Sequence, residues 1–324
     1  MYRVSVVVPT YQRSDLLNSC LSALTTQDFD PTAYEVIVVD DAASEETRRQ
    51  VECWAERVLP CGHTIRYLTA TGRHGPAAAR NAGWRAARAE IIAFTDDDCL
   101  PSLRWLRAGV NAFKEGVEGV SGRIHVPLSC TPTDYERDAA HLETSEFVTA
   151  NCFYRRSALT QIGGFDERFT MAWREDSDLF FSLLERGTKL AHVPEALVVH
   201  PLRPAPWGVS LEQQRKSMFN ALLYKKHPAL YRQKIQAAPP WHYYCIVAAL
   251  LLTLSCFIKK LYKCGFVAFC IWLLLTGRFC MQRLYSTSHE PFHLAEMVVT
   301  SIFIPPLAIF WRIRGAIKFR VFFL

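Results

Sequence analysis

The chain lacks the marks of several protein classes at once. No Cys-x-x-Cys pair occurs, and 11 cysteines are an odd number, so neither a zinc ribbon nor a fully paired disulfide framework fits. Free thiols suit a reducing compartment. Met1 to Pro9 hold no long apolar stretch of the signal-peptide kind, so the front of the chain is expected in the cytoplasm. The loop Pro9-Thr10-Tyr11-Gln12-Arg13 has no glycine, where a loop that cradles a triphosphate would carry several. Acids are scarce at the far end. Residues 241–324 carry nine Lys or Arg and two Asp or Glu, a net +7 against +6 for the whole chain, which leaves residues 1–240 at −1. A front part with no basic surplus is not a nucleic-acid-binding module, and a basic, acid-poor end suits anionic lipid. No uncharged stretch there reaches the ~20 residues of a comfortable membrane span. The runs are 17 residues at 242–258, 14 at 264–277 and 15 at 297–311, the last interrupted by Pro305-Pro306.

Across 324 residues, 50% of them hydrophobic, there is enough for a sizeable core. Val4 to Val8 reads as a buried strand stopped by Pro9, and Leu16, Leu17, Cys20, Leu21 and Leu24 recur at helical spacing after it. Glu35 to Val39 is a second apolar strand, ending in Asp40-Asp41. Glu45 to Trp54 follows as a helix capped by Ser44. Ile65 to Leu68 is a third strand, and Ala77 to Ala89 an Ala-rich helix. Ile91 to Phe94 runs into Asp96-Asp97-Asp98. Near-continuous apolar strands alternating with helices predict an α/β fold with a mostly parallel sheet flanked by helices. Ligands in such sheets sit at the carboxyl ends of strands, where Pro9-Thr10-Tyr11, Asp40-Asp41 and Asp96-Asp97-Asp98 all fall.

Three adjacent carboxylates beside a sheet are costly to bury unless a cation neutralises them. Mg²⁺ or Mn²⁺ is the natural choice, since both take carboxylate oxygens and share phosphate-bearing substrates. If strand geometry persists, Asp96 and Asp98 point one way and Asp97 the other. A solvated acidic turn is the bland alternative.

Val-Ser-Val-Val-Val-Pro-Thr-Tyr, Val-Ile-Val-Val-Asp-Asp, Gly-Pro-Ala-Ala-Ala-Arg-Asn-Ala-Gly and Phe-Thr-Asp-Asp-Asp-Cys, in this order, resemble a family 2 glycosyltransferase of the GT-A fold. Asn151 to Arg156, Gly163-Gly164-Phe165-Asp166-Glu167 and Glu175-Asp176-Ser177-Asp178-Leu179 continue the pattern, so the resemblance covers roughly residues 3–230. It implies a nucleotide-diphosphate sugar as donor and, usually, inverting transfer to an acceptor hydroxyl. It also implies roles. Asp41 resembles the acid that holds the donor base, with Pro9, Thr10, Tyr11 and Arg13 lining the same pocket. Arg80 resembles a donor-contacting residue, and a guanidinium suits diphosphate oxygens. Asp96 and Asp98 match the Asp-x-Asp pair. Asp96 would face ribose and metal and Asp98 the metal, with the acid Asp97 between them on the donor side. Asp176 resembles the catalytic base, with Trp173, Glu175 and Asp178 on the acceptor side; a helix cap is the competing role for one of these acids. His200 matches a position that contacts metal or diphosphate in some relatives, and a structural His before Pro201 is the other reading. Gln213-Gln214-Arg215 only loosely resembles the Gln-x-x-Arg-Trp signature of processive relatives. The turn at Gly163 to Glu167 is read as structural.

The expected organisation is a GT-A domain over 1–235 and a membrane-associated region over 236–324. In that region the first two apolar runs fit a tight helical hairpin, either spanning or entering only part way, and the third, with its two prolines, fits a re-entrant segment. Residues 127–146, polar and interrupted by proline, read as a mobile loop. The acceptor is expected to be lipid-linked or a cell-envelope glycan, by proximity to the membrane, with the catalytic domain facing the cytoplasm at the cytoplasmic membrane. The alternatives are a nucleotidyltransferase, disfavoured by the glycine-free first loop, and a non-catalytic membrane binding protein, disfavoured by the intact acid clusters.

Overall fold

The computed structural model describes residues 1–323; Leu324, the last residue of the expected 236–324 region, lies outside the described residues. The chain forms two compact units, residues 1–127 with 140–202 and residues 128–139 with 203–324. In chain order the elements are β1 (Val4–Thr10), α1 (Ser14–Thr25), β2 (Tyr34–Asp40), α2 (Glu45–Val58), β3 (Thr64–Thr69), α3 (Pro76–Ala86) and β4 (Ile91–Phe94). There follow β5 (Leu100–Pro101), α4 (Trp105–Asn111), β6 (Val117–His125), α5 (Asp134–Ala139), β7 (Cys152–Arg155), α6 (Arg156–Ile162), α7 (Glu175–Glu185) and β8 (Lys189–Val199). The rest is helical: α8 (Val209–Gln213), α9 (Phe219–Lys226), α10 (Pro228–Lys234), α11 (Trp241–Ile258), α12 (Tyr262–Leu284) and α13 (Pro291–Phe319).

The first unit is built on one sheet of order β3-β2-β1-β4-β7-β6-β8-β5. The β1–β2, β1–β4, β2–β3 and β6–β8 pairs are parallel. The β4–β7, β6–β7 and β5–β8 pairs are antiparallel. β7 reverses the direction of the sheet beside β4, which makes it mixed. β1 and β2 are apolar on both faces because helices cover both sides, and every residue of β2 is buried. α3 lies close against β1. A Cβ at Gly83 would come within 2.3 Å of Val7 Cγ1, so only glycine allows that approach.

α3 ends at Ala86, short of the expected Ala89. A buried acid at the other end of the strands explains the early stop. Glu35 Oε1 accepts from the Ser5 hydroxyl (2.7 Å) and the Arg88 N–H (2.7 Å), and Oε2 accepts from Arg66 (2.9 Å). The Ala89 N–H donates to Ser5 Oγ (3.0 Å). The backbone donors that would have extended the helix are thus drawn to the sheet.

The second unit departs further from expectation. The segment 127–146 is not structureless. It carries α5, whose Asp134 accepts from the buried Arg283 of α12 at 2.8 Å, and that pairing takes residues 128–139 into the second unit. The compositional boundary at 235/236 falls inside this unit, because Met218, Phe219, Ala221, Leu222 and Leu223 are buried there too. α13 runs unbroken through Pro305 and Pro306 for 29 residues, so there is no re-entrant break. Its buried face, with Met297, Thr300, Ser301, Ile304, Pro305 and Ala308, carries the helix across positions where proline removes a backbone hydrogen bond. α11, α12 and α13 are each long and apolar enough to cross a membrane.

Candidate active site

The parallel strands β1, β2 and β4 bring their carboxyl ends to one edge of the first unit. β4 stops at Phe94, and the acids follow in a turn closed by Cys99 N–H donating to the Asp96 carbonyl (3.1 Å). Strand geometry does not persist, and the turn sends the three carboxylates three ways.

Asp97 points inward. It is 2% exposed, accepting from the Thr10 hydroxyl (2.7 Å) and from Arg13 Nη1 (3.2 Å). Loss of hydration pushes its carboxyl up to about 6, against the pull of Arg13 and Thr10. Asp96 turns to Arg80, which reaches it with Nη2 (2.7 Å) and Glu175 with Nη1 (2.9 Å), and whose guanidinium lies over the Phe165 ring. Arg80 and Glu175 are both buried, while the Asp96 side chain keeps 26% of its surface exposed. Burial works against the Arg80 charge, but Asp96 and Glu175 more than offset it, so its pKa rises. Burial raises the Glu175 carboxyl, with Arg80 pulling the other way. Glu175 Oε2 and Arg80 Nε are buried without a partner among the described residues.

Asp98 turns to His200, which follows β8; Nε2 lies 3.6 Å from Asp98 Oδ1. Nδ1 of His200 is buried with no partner among the described residues. Asp98, Cys99 and His200 each bring one potential ligand atom within 4.8 Å of the others. The carboxylate and the imidazole fit Mn²⁺, and the carboxylate Mg²⁺. The thiol does not, since burial first, then the neighbouring acids, push Cys99 well above the ordinary thiol value, and a thiol ligates as thiolate.

At the end of β2 the paired acids separate their tasks. Asp40 is fully buried and holds its own loop, accepting from the N–H groups of Ala42 (2.9 Å) and Ser44 (2.7 Å) and from the Tyr67 hydroxyl (3.1 Å). Asp41 accepts from the Gly75 N–H (2.8 Å), and its other oxygen lies 3.1 Å from His74 Nδ1. The Asp41 N–H donates to the Thr10 carbonyl (3.0 Å), which sets it beside Tyr11, exposed at 54%, and Pro9. α7 begins at Glu175 after Arg174, a non-glycine residue at φ +75°. Asp176 is half-buried, its Oδ1 accepting from the Ser177 N–H (2.6 Å) and hydroxyl (3.3 Å). Trp173 is exposed beneath the Arg174 guanidinium, 4.6 Å from its ring centre. Asp178 faces the core at 2% exposure.

Thr10, Arg13, Arg80, Asp96, Asp97, Asp98, Glu175 and His200 therefore form one connected constellation, joined to Asp41 through Thr10 and to Asp176 through Glu175. The Arg80–Glu175 pair, the Phe165 ring and Cys99 were not foreseen as site features. Only the buried setting of Arg80 could have signalled them, and no spacing in the sequence reports it.

The profile described as "Glycosyl transferase family 2" matches residues 5–179, and "Glycosyl transferase family group 2" matches residues 133–311. The first match alone covers more than half of the chain. The chain belongs to glycosyl transferase family 2. It is a glycosyltransferase of GT-A fold, which decides against the nucleotidyltransferase alternative. Glycosyltransferase AglE of Haloferax volcanii is 27% identical over 223 residues, 65% of this chain and 70% of that protein. The pre-mycofactocin glycosyltransferase of Mycobacterium tuberculosis is 30% identical over 216 residues, 62% of this chain but 43% of that protein. The validoxylamine A glucosyltransferase of Streptomyces hygroscopicus is 25% identical over 275 residues, 70% of this chain and 57% of that protein. Among solved structures, the mannosyltransferase of Pyrobaculum calidifontis in complex with GDP-Man and Mn²⁺ superposes with a TM-score of 0.56 at 20% identity, covering 99% of this chain and 88% of that one; at that identity the likeness concerns the fold.

In this family 2 domain the turn Gly163 to Glu167 supports the constellation from behind. Asn81, next to Arg80, accepts from the Phe165 N–H (2.9 Å) and donates to the Phe165 carbonyl (2.8 Å). A Cβ at Gly164, whose φ is +78°, would lie 2.5 Å from Asn81 Oδ1. The turn thereby fixes the ring over which the Arg80 guanidinium lies.

Proposed function

We propose that this glycosyltransferase moves a sugar, with inversion, from a nucleoside-diphosphate donor to an acceptor hydroxyl in a metal-dependent reaction. One observation carries the reading: the exposed side of Asp96, the Asp98–His200 pair and the acid-rich start of α7 meet at the carboxyl ends of β1 and β4. Asp41 holds the base, with Pro9, Thr10 and Tyr11 lining that end; a carboxylate that already accepts from Gly75 has lone pairs left for base N–H donors. Arg80, whose two terminal nitrogens are engaged by Asp96 and Glu175, acts by orienting Asp96 toward the ribose. Asp97 acts from behind, tying the turn to Thr10 and to Arg13, whose side chain is 39% exposed and so available to donor phosphate. Asp98 and His200, with Asp96 nearby, would hold Mg²⁺ or Mn²⁺, which offsets the charge of a departing diphosphate.

Asp176 takes the proton from the acceptor hydroxyl, and the oxygen attacks C1 from the face opposite the leaving group. The anomeric carbon passes through oxocarbenium-like character, as in glycoside hydrolysis, with the acceptor in place of water. Trp173 offers an exposed ring to the acceptor, while Glu175 and Asp178 fix the start of α7 from the buried side. Residues 1–235 serve as the transferase domain and 236–324 as the membrane-associated region. Three apolar helices support a lipid-linked or cell-envelope glycan acceptor. Eleven cysteines, all free, support a catalytic unit facing the cytoplasm at the cytoplasmic membrane. The GDP-Man and Mn²⁺ of the Pyrobaculum structure support a nucleotide sugar and a divalent ion.

The test is release of nucleoside diphosphate from a panel of sugar donors, with Mn²⁺ and with chelator, by wild type and Asp98→Ala. Release by the wild type that needs the metal, and is lost in the variant, is expected. Equal, metal-independent release by both proteins would contradict the reading.

A further inference from the structure

By length and composition α11, α12 and α13 are each able to cross a bilayer. Their surroundings within the second unit are not equivalent. The far part of the α11–α12 hairpin is covered only where its two helices meet, at Cys256, Gly265 and Ala268; Phe257, Ile258, the tip lysines Lys259, Lys260 and Lys263, Phe266 and Val267 are exposed. α13, in contrast, is accompanied along one face by residues 203–236. The Gly208 N–H donates to Glu296 Oε1 (2.8 Å). Arg215 lies over Trp311 (5.9 Å). A Cβ at Gly315 would meet the Met218 carbonyl at 2.3 Å, and Lys225 Nζ donates to the Phe319 carbonyl (2.8 Å). From Glu296 to Phe319 a helix runs about 35 Å, more than the ~30 Å hydrocarbon core.

Residues 203–240 carry seven Lys or Arg and one acid, and Glu212, Arg215, Lys225, Arg232 and Lys234 are exposed. Were α13 to cross the bilayer, this charged segment would cross with it, its ionised side chains in lipid, which is strongly unfavourable. The outer face of α13 is mainly apolar, with the exposed Arg314 at its edge. Phe292, Val298, Phe303, Phe310, Ile313 and Ile317 are exposed and fall on one side of the helix, where Arg314 near its end is an exposed charge beside them.

We infer that α13 does not span but lies in the membrane interface, its outer apolar stripe in the lipid and its inner face on residues 203–236, and that only the α11–α12 hairpin crosses. The inference rests on the membrane attachment proposed above. α11, with 18 residues, is about 27 Å long, enough to carry the tip lysines across a thin core. Both feet of the hairpin then share one side with α13. That side holds the seven cations of 203–240 and four more at 312–320, against three at the tip, so the positive-inside rule places it in the cytoplasm.

The full-length chain is tested with a short epitope inserted after Lys260, after His289 or appended to Leu324, each variant first checked for wild-type thermal unfolding. Accessibility is read in sealed and in permeabilised cells. The expected pattern is the Lys260 epitope on one face and the other two on the opposite face. If α13 spans, the epitopes at Lys260 and Leu324 appear together, opposite His289, and the inference is overturned. All three on one face would also overturn it, because the hairpin would not cross. Recovery of the chain in the soluble fraction would instead remove the underlying membrane attachment.

Discussion

Arg80 joins two acids that are far apart in the chain, and the three acids after β4 are told apart only by what each one faces. Asp97 illustrates the energetics. Its folded pKa, about 6, lies above the ordinary 3.8 because burial penalises the charge, so folding favours the protonated carboxyl. The stabilisation is complete below about pH 4 and is lost as pH rises through about 6, a swing of about 3 kcal/mol at most. Asp97→Asn keeps an acceptor for Thr10 and removes the charge. In chelator, its unfolding temperature should rise relative to wild type between pH 4.5 and 7.5; parallel curves for the two proteins would mean that Asp97 is not desolvated as described. The separation of Asp96, Asp97 and Asp98 was only partly legible beforehand. Alternation along a strand placed Asp97 apart from its neighbours, which is the outcome, but through a turn that no strand rule foresees. Cys99 and the burial of Glu175 depend on tertiary packing and left no mark in spacing.

For single elements, the strand–helix alternation was readable because β1, β2 and β4 carry near-continuous apolar runs, and α2 begins at the capping Ser44 that its composition announces, whose hydroxyl faces the Thr47 N–H. The end of α3 was not readable, since it depends on Glu35 and Ser5 drawing the Arg88 and Ala89 N–H groups away. Nor was the path of α13, where a proline pair that stops an isolated helix is overridden by packing. The turn Gly163-Gly164 permits a comparison within one element. Both glycines have φ +78°, but a Cβ at Gly163 meets open space and one at Gly164 meets Asn81 and Trp84. Gly163→Ala should therefore lose about 1 kcal/mol from backbone strain alone. Gly164→Ala should lose about 2–3 kcal/mol and weaken donor binding through Asn81 and Arg80. Thermal unfolding of both in one detergent checks this, and equal losses would show that the turn shifts freely.

At the scale of the whole molecule, the shift in composition at Trp241 was visible from sequence, whereas the inclusion of 128–139 and 203–235 with the later helices was not. That grouping comes from the packing of residues 209–226 along α13, close enough that Gly315 meets Met218, and from contacts such as Asp134–Arg283. The outward apolar residues of α11, α12 and α13 predict that the full-length chain sediments with membranes in high salt and is released by detergent; a soluble chain in high salt without detergent would remove the attachment. The chemistry of the first unit is tested by single-turnover sugar transfer by full-length Asp176→Asn, measured beside donor affinity. The amide preserves shape and, as a cap, would serve α7 equally well, but it cannot take the acceptor proton. Unchanged donor affinity is expected, with transfer slowed about 10²–10⁴-fold. Near-normal transfer by the variant, with a large loss in Glu175→Gln or Asp178→Asn instead, would contradict the assignment of Asp176 as base.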